Sequence, residues 1–98
     1  MLITILEEIV PTEFELAQNY PNPFKDKTTI KYCVPDKMRV KLEVFDSKGN
    51  KLKTLVDEIK EAGTYKVEFN AKELVSGEYL YKLESREFFE SKRMVLLK

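Results

Sequence analysis

Few residues in this chain have the types and spacing that catalysis or metal binding requires. The 98-residue sequence contains no histidine, which removes the commonest general base, the Ser-His and Cys-His nucleophile pairs and most zinc sites. The single cysteine is Cys33. Its neighbours Tyr32 and Val34 follow a pattern that directs them into a core, and no general base accompanies it. We therefore interpret Cys33 as structural.

Carboxylates are plentiful, so a pair of acids of the kind that glycosidases use has to be considered. Glu7 with Glu8, and Asp57 with Glu58, are sequence neighbours, whose side chains would point to opposite faces of a strand. The stretch DSKGN at 46–50 resembles the start of a calcium loop, but a lysine occupies a ligand position and the glycine is fourth rather than sixth. We expect a hairpin turn there, and we expect no enzyme, no metal site and no cofactor.

Charge and composition exclude several classes of partner. The 17 basic residues balance the 17 acidic ones, so net charge favours neither nucleic acid nor an anionic membrane surface. Only three glycines occur, and they lie too far apart for a phosphate-binding loop. No apolar run approaches the length of a membrane span. The opening MLITILEEIV lacks the basic region and cleavage site of a signal peptide.

The elements that must position any site are predicted to be β-strands, because apolar and polar residues alternate from Thr28 onward. The pattern recurs in TTIKYCV, MRVKLEVFD, KLKTLVDE, TYKVEFN, GEYLYKLES and FFESKRMVLLK, and TEFELAQNY is predicted to be an edge strand. About seven short antiparallel strands predict an all-β, Ig-like sandwich of two sheets. The residues predicted to face the core include Ile30, Tyr32, Val34, Val40, Leu42, Val44, Tyr65, Val67 and Phe69.

Two glycine-x-tyrosine tripeptides occur in the second half of the chain, at 63–65 and 77–79. Each places a glycine where the chain bends into a strand and a tyrosine two residues later, facing inward, where its hydroxyl needs a partner. We interpret the pair mainly as architecture. Between them, NAKELVSG has Asn70 as a possible N-cap and Gly77 as a stop, which predicts one helical turn.

The stretch QNYPNPF at 18–24 combines two prolines with an aromatic residue on each side. Proline fixes its own φ and biases the preceding residue toward extended geometry, so the segment should be stiff and non-helical. Neither Pro21 nor Pro23 has an N–H to donate, which places the segment at a sheet edge or in a bend. Physical reasoning alone favours a turn whose flanking aromatic residues pack into the core.

These stretches together resemble a known family. PTEFELAQNYPNPFKDKTTIKY, LEVFDSKGNKLKTLVDEIKEAGTYKVEFNAKELVSGEYLYKLES and SKRMVLLK occur in the order typical of the C-terminal sorting domain of type IX (Por) secretion cargo in the Bacteroidetes. The sequence is also similar to the Ig-like domain of flagellar hook-capping proteins. The likeness covers residues 11–98, and residues 1–10 are expected to be a linker or the remnant of a preceding region.

The resemblance implies a non-catalytic sorting signal at the C-terminus of a larger exported protein. Its expected partners are the N-terminal cargo domain, the outer-membrane secretion machinery and a sortase-like peptidase, and the expected location is secreted or at the cell surface, reached through the periplasm. The last strand is expected to leave a free edge that a receptor can pair with. The recognition residues that the resemblance implies are Tyr20, Pro21, Asn22, Pro23, Phe24, Gly77, Tyr79, Lys92, Val95 and Lys98.

Two other functions stay open on the sequence. An accessory β-sandwich that binds carbohydrate or protein, or spaces domains, would be favoured by an exposed aromatic patch. Phe88 and Phe89 bear on this alternative, because one of two adjacent strand residues faces away from the other. An enzyme would need a concave pocket with convergent carboxylates.

Overall fold

The computed structural model describes residues 11–86 and 88–98, and every regular element within them is a β-strand. A three-stranded sheet has the order β1-β2-β5, and a four-stranded sheet has the order β4-β3-β6-β7. All neighbouring strands are antiparallel. The predicted all-β, Ig-like sandwich is confirmed, whereas the prediction for residues 1–10 lies outside the described residues. The strands are β1 (Glu15–Leu16), β2 (Lys27–Val34), β3 (Met38–Asp46), β4 (Lys51–Lys60), β5 (Gly63–Asn70), β6 (Gly77–Glu84) and β7 (Phe89–Leu96).

The core lies between the two sheets and is filled by the inward-facing residues of four strands. Side chains alternate between the two faces of a strand, so the period-two pattern of the sequence becomes one apolar layer on each sheet. Full burial of each aliphatic side chain contributes at most about 1.5–3 kcal/mol. The core residues with no exposed surface are Ile30, Val34, Val40, Leu42, Val44, Tyr81, Leu83, Met94 and Leu96.

Strand β5 is less buried than the sequence predicts. Phe69 is buried, but Tyr65 and Val67 are only half-buried. Within the described residues β5 pairs with β2 alone, so its other side leaves the inward side chains partly uncovered. The prediction that Tyr65 and Val67 face the core is confirmed, because both pack against it. The extent of their burial could not be predicted, because a period-two pattern does not distinguish an edge strand from a central one.

The turn between β3 and β4 is the hairpin that the sequence predicts. The Asp46 carboxylate accepts hydrogen bonds from the backbone N–H groups of Lys48 and Asn50, each at 2.9 Å. Gly49 has a φ of 92°, a conformation that glycine adopts without steric cost. Hydrogen bonds from the side chain and backbone of Asn50 lower the pKa of Asp46 below its ordinary value. The acidic side chain therefore organises the turn.

The connection from β5 to β6 contains a turn, and the predicted helical turn is wrong. The Asn70 side-chain oxygen accepts a hydrogen bond from the backbone N–H of Lys72 at 2.9 Å. The backbone N–H of Leu74 donates to the Ala71 carbonyl at 3.0 Å, and the chain then extends. The bond from Lys72 to Asn70 is one that a helix N-cap also makes. Only one bond of the i to i+3 type follows before β6 begins at Gly77, so the segment forms a turn and no helix.

Candidate recognition site

The first part of the chain leaves one sheet and joins the other. Strand β1 pairs with β2, and Tyr20 then forms an antiparallel bridge with Thr29 of β2 through two backbone hydrogen bonds of 3.0 Å. Phe24 instead forms a parallel bridge with Leu96 of β7. The stretch TEFELAQNY is therefore an edge strand only at Glu15–Leu16 and at the Tyr20 bridge. From Tyr20 to Phe24 the chain passes from the three-stranded sheet to the four-stranded sheet.

The outer edge of β7 is covered by residues Tyr20–Phe24, which we call the edge segment. The Asn22 side-chain oxygen accepts a hydrogen bond from the Val95 N–H at 2.9 Å. The Phe24 N–H donates to the Val95 carbonyl at 2.9 Å, and the Leu97 N–H donates to the Phe24 carbonyl at 2.8 Å. A receptor strand would need these same backbone groups. The predicted free edge is therefore wrong at Val95 and Leu97, where the chain itself occupies it.

Two further contacts extend this cover along β7. The Gln18 side-chain amide donates a hydrogen bond to the Arg93 carbonyl at 2.6 Å. The ring of Phe14 stacks on the ring of Phe88, with centroids 4.5 Å apart and an interplanar angle of 18°. The chain from Phe14 to Phe24 thus contacts β7 and the residue that precedes it at several points.

The two aromatic residues of the edge segment have opposite environments. Phe24 is 2% exposed and packs edge to face against Phe69, with ring centroids 6.4 Å apart. Tyr20 is 80% exposed. The peptide bonds that precede Pro21 and Pro23 are cis. The expectation that both flanking aromatic residues enter the core is therefore correct for Phe24 and wrong for Tyr20.

A buried polar network lies behind the edge segment and was not predicted. Asn19 is 2% exposed, and its side-chain NH₂ group donates to the Thr28 hydroxyl at 2.9 Å and to the Pro21 carbonyl at 3.1 Å. The Thr28 hydroxyl donates to the same carbonyl at 2.8 Å. These bonds satisfy the buried polar groups and fix the path of the chain into the edge segment. The only sequence signal is a threonine at an inward-facing position of β2.

Tyr81 anchors the same region from the four-stranded sheet. Its hydroxyl donates to the Ala17 carbonyl at 2.6 Å and accepts a hydrogen bond from the Asn19 N–H at 2.7 Å. Burial raises the pKa of Tyr81 to about 12, partly opposed by the bond from Asn19. The phenol therefore stays protonated near neutral pH and keeps both bonds. A residue of β6 in this way holds the chain that covers β7.

The two glycine-x-tyrosine tripeptides support the fold, as the sequence predicts. The hydroxyl of Tyr79 donates to the Val75 carbonyl at 2.6 Å, and that of Tyr65 donates to the Glu61 carbonyl at 2.7 Å. In each case the acceptor lies four residues earlier in the chain, so each tyrosine holds the entry to its own strand. Gly77 has a φ of 156°, which other residues rarely adopt.

The residues implied in recognition do not all lie together. Gly77 is opposite Leu96 in the β6–β7 register, and the Lys98 N–H donates to the Ser76 hydroxyl at 2.9 Å; the Lys98 ammonium also donates to the Lys72 carbonyl. The edge segment, Gly77, Val95 and Lys98 therefore meet at one end of β7. Lys92 lies further along the strand, opposite the core residue Tyr81, and pairs with Glu90 at 3.4 Å.

A sequence profile of the family described as "Secretion system C-terminal sorting domain" matches residues 18–97. The chain belongs to this family. Such a domain is the sorting signal of a type IX cargo protein that is secreted or displayed at the cell surface. No curated protein sequence matches the chain. The part of the sequence that carries the family match contains the whole edge segment and all of β7.

A solved structure supports the fold of this sorting domain. The sorting domain is similar to part of the crystal structure of dimeric latent PorU from Porphyromonas gingivalis, with a TM-score of 0.67 and 16% sequence identity. The match covers 91% of the sorting domain and 10% of the PorU chain. The sorting domain therefore has the same β-sandwich architecture as one small part of that much longer protein.

The outer face of the four-stranded sheet carries a lysine that contacts two aromatic rings. The Lys82 ammonium lies over the rings of Phe45 and Phe89, at 4.8 and 5.0 Å from their centroids. Phe89 is 61% exposed, whereas Phe88 is half-buried. The prediction that the two residues face opposite sides is confirmed. The exposed ring of Phe89 is already in contact with a lysine.

Glu43 is a buried carboxylate on this outer face. It lies 3.1 Å from the Lys51 ammonium and accepts a hydrogen bond from the Thr54 hydroxyl at 3.2 Å. Burial alone would raise the pKa of Glu43, but Lys51, with smaller contributions from Lys41 and Thr54, lowers it below its ordinary value. The carboxylate is therefore a structural ion-pair partner that links β3 to β4.

Cys33 lies on the outer face of the three-stranded sheet and is 7% exposed. Its sulfur is 3.5 Å from the Thr64 hydroxyl oxygen and 3.7 Å from a carboxylate oxygen of Glu15. Within the part of the chain that the structure describes, no group of three or more potential metal ligands occurs. No helix in residues 11–86 and 88–98 is long and apolar enough to cross a membrane.

Proposed function

We propose that this sorting domain is non-catalytic and that its recognised surface is built jointly by the edge segment and β7. The observation that supports this proposal is the hydrogen bonding of Asn22 and Phe24 to Val95 and Leu97. Asn22 and Val95 are 73 positions apart in the sequence. Because the two stretches lie side by side, a partner that contacts one of them also contacts the other.

Exposure and backbone contacts together divide the proposed recognition residues into two groups. Tyr20 is 80% exposed, and the adjoining prolines, Val95 and Lys98 are exposed or half-exposed, so these residues are available to a partner. Phe24 and Tyr79 are buried, and Asn22 and Gly77 shape the backbone. We assign this second group to building the surface. Lys92, on the inward side of β7, belongs with the second group.

The partners follow from a role as a secretion signal. We propose that a cargo domain lies on the N-terminal side of the sorting domain in the parent protein and that residues 1–10 are a linker or the remnant of a preceding region. The secretion machinery of the outer membrane reads the surface, and a sortase-like peptidase then separates cargo from signal. The Ig-like architecture also supports kinship with the Ig-like domain of flagellar hook-capping proteins. A fusion of residues 11–98 that is delivered as efficiently as one of residues 1–98 would support the linker assignment.

The proposal is tested by fusing residues 1–98 behind a reporter with a signal peptide, in a cell with type IX secretion. Deleting β7 would remove Met94 and Leu96 from the core, so point substitutions are cleaner. Tyr20→Ala should leave the thermal midpoint unchanged and retain the reporter in the periplasm. The matched control is Ile59→Ala. Ile59 is 60% exposed and lies on β4, which forms the edge of the four-stranded sheet opposite to β7.

Two results would contradict the proposal. Surface delivery of Tyr20→Ala at the wild-type level would remove the exposed part of the edge segment from recognition. Equal loss of delivery for Tyr20→Ala and Ile59→Ala would show that the edge segment has no specific role in delivery. Delivery lost with Tyr20→Ala and retained with Ile59→Ala is the expected pattern.

A further inference from the structure

In residues 11–86 and 88–98 the sandwich has four edge strands, and three of them are protected against pairing with another chain. β1 has only two residues, and β7 is covered by the edge segment. β4 pairs with β3 through two register shifts, and such bulges twist an edge away from an incoming strand. β5 pairs with β2 over all of its eight residues without a shift. Among the strands that the structure describes, β5 alone has a regular edge with no hydrogen-bonded neighbour.

Backbone alternation decides which groups of β5 face this open edge. Thr29 exchanges two hydrogen bonds with Tyr20 on the β1 side of β2, so its neighbour Ile30 bonds to β5 on the other side. Ile30 lies opposite Val67, and Val67 therefore bonds to β2. The residues that direct their backbone N–H and C=O groups outward are Thr64, Lys66, Glu68 and Asn70.

The two charged side chains of β5 have no opposite charge facing them across the sheet in β2. Lys66 lies opposite Lys31 of β2, and like charges in direct opposition across a sheet are destabilising. Glu68 is exposed two residues further along the same face. Of the ion pairs among the described residues, none includes Lys66 or Glu68. A strand that places a carboxylate beside Lys66 and a cation beside Glu68 would supply the opposite charges that β2 lacks at these positions.

We propose that β5 pairs with β5 of a second copy of this chain, antiparallel, about a two-fold axis at Val67. In this register Lys66 lies opposite Glu68 of the second copy, and the symmetry repeats the pair. Moving the axis by one residue would place Lys66 opposite Lys66, or Glu68 opposite Glu68, which is repulsive. The half-buried side chains of Tyr65 and Val67 gain cover in the same contact. The sequence of β5 is thus complementary to itself.

Charge reversal tests this register directly. The association of the 98-residue chain is measured by sedimentation velocity over a range of concentrations. Lys66→Glu and Glu68→Lys should each raise the dissociation constant of the dimer roughly tenfold, because each turns both symmetric pairs into like-charge pairs. The double variant Lys66→Glu/Glu68→Lys should restore association. Lys48→Glu, an exposed reversal in the β3–β4 turn, is the control and should change nothing.

Amide hydrogen exchange gives a second readout that a general change in stability would not reproduce. The N–H groups of Lys66 and Glu68 should exchange more slowly as protein concentration rises, whereas that of Val67, already bonded to β2, should not change. A chain that stays monomeric at every concentration would overturn the proposal. So would a double variant that associates no better than the single variants, or protection of Lys66 and Glu68 that is independent of concentration.

Discussion

The side-chain oxygen of Asn22 accepts a hydrogen bond from the backbone N–H of Val95 at 2.9 Å, across 73 positions of sequence. Phe24 adds two backbone bonds to the same stretch, one to Val95 and one to Leu97. The YPNPF segment and the last strand, which are separate motifs in the sequence, are therefore one piece of structure. The segment supplies to β7 the bonds that a neighbouring strand would otherwise provide.

Removing the Asn22 acceptor should loosen this contact without unfolding the domain. The bond lies at an exposed edge, where water can replace the lost acceptor, so Asn22→Ala should cost about 0.5–1.5 kcal/mol of unfolding free energy. Asn22→Asp retains an acceptor oxygen and should stay near wild type. Urea unfolding of both variants checks this. Equal losses in the two would show that the hydrogen bond is not the relevant interaction.

Tyr81→Phe should be more damaging than Tyr79→Phe. The first change leaves the Ala17 carbonyl and the Asn19 N–H without their partner, at a cost of about 1–3 kcal/mol. For a domain of this size each kcal/mol lowers the thermal midpoint by roughly 4–8 °C. The second change removes only the hydrogen bond to the Val75 carbonyl. Val75 is 74% exposed, so water can replace the lost donor. Similar midpoints for the two variants would contradict this assignment.

Alkaline pH should also weaken the Tyr81 anchor. Its folded pKa of about 12 lies above the ordinary tyrosine value of about 10. The stability that the neutral phenol contributes is thus complete below the unfolded pKa and is lost as pH rises through the folded pKa. Thermal melts at increasing alkaline pH should show this decline, and Tyr81→Phe should reduce it. Burial also raises the pKa of Tyr32, so part of the decline should persist.

Lowering the pH should remove the stability that the ionised Glu43 side chain contributes to the fold. Its folded pKa is lowered, so the ion pair with Lys51 stabilises the fold above the unfolded value of about 4.3 and is lost as pH falls through the folded value. Glu43→Gln should lower stability at neutral pH and flatten the acid limb of a melting curve. Glu73→Gln, at an exposed turn residue, is the control. An acid limb unchanged by Glu43→Gln would refute this linkage.

The core register is tested by two leucines on neighbouring strands. Leu42 on β3 has no exposed surface, whereas Leu52 on β4 is 40% exposed. Leu42→Ala should cost about 2–5 kcal/mol, and Leu52→Ala should stay within about 0.5 kcal/mol of wild type. Chemical denaturation measures both. A larger loss of unfolding free energy for Leu52→Ala than for Leu42→Ala would mean that β3 has its other face toward the core.

Much of the fold follows from local pattern. Alternation predicts β2, β3, β6 and β7, because each of these strands buries one face. DSKGN predicts its hairpin because Asp46 and Gly49 suit that turn. The cover of β7 was not predictable, since the Asn22 acceptor and its donor are joined only by the tertiary fold. The Asn19 network could not be predicted for the same reason, because Asn19 meets Thr28 and Tyr81 only in the folded chain. Val67 shows a further limit, because strand pattern does not reveal sheet order.

Site-specific photo-cross-linking tests the joint surface most directly. A photoreactive residue is placed at Tyr20, Leu97 or Ile59 of the reporter fusion and activated during secretion. These side chains are 80%, 53% and 60% exposed, so all three report on accessible positions. We predict that Tyr20 and Leu97 cross-link to the same outer-membrane component and that Ile59 does not. Cross-links to that component from Ile59 but not from Tyr20 or Leu97 would contradict the account.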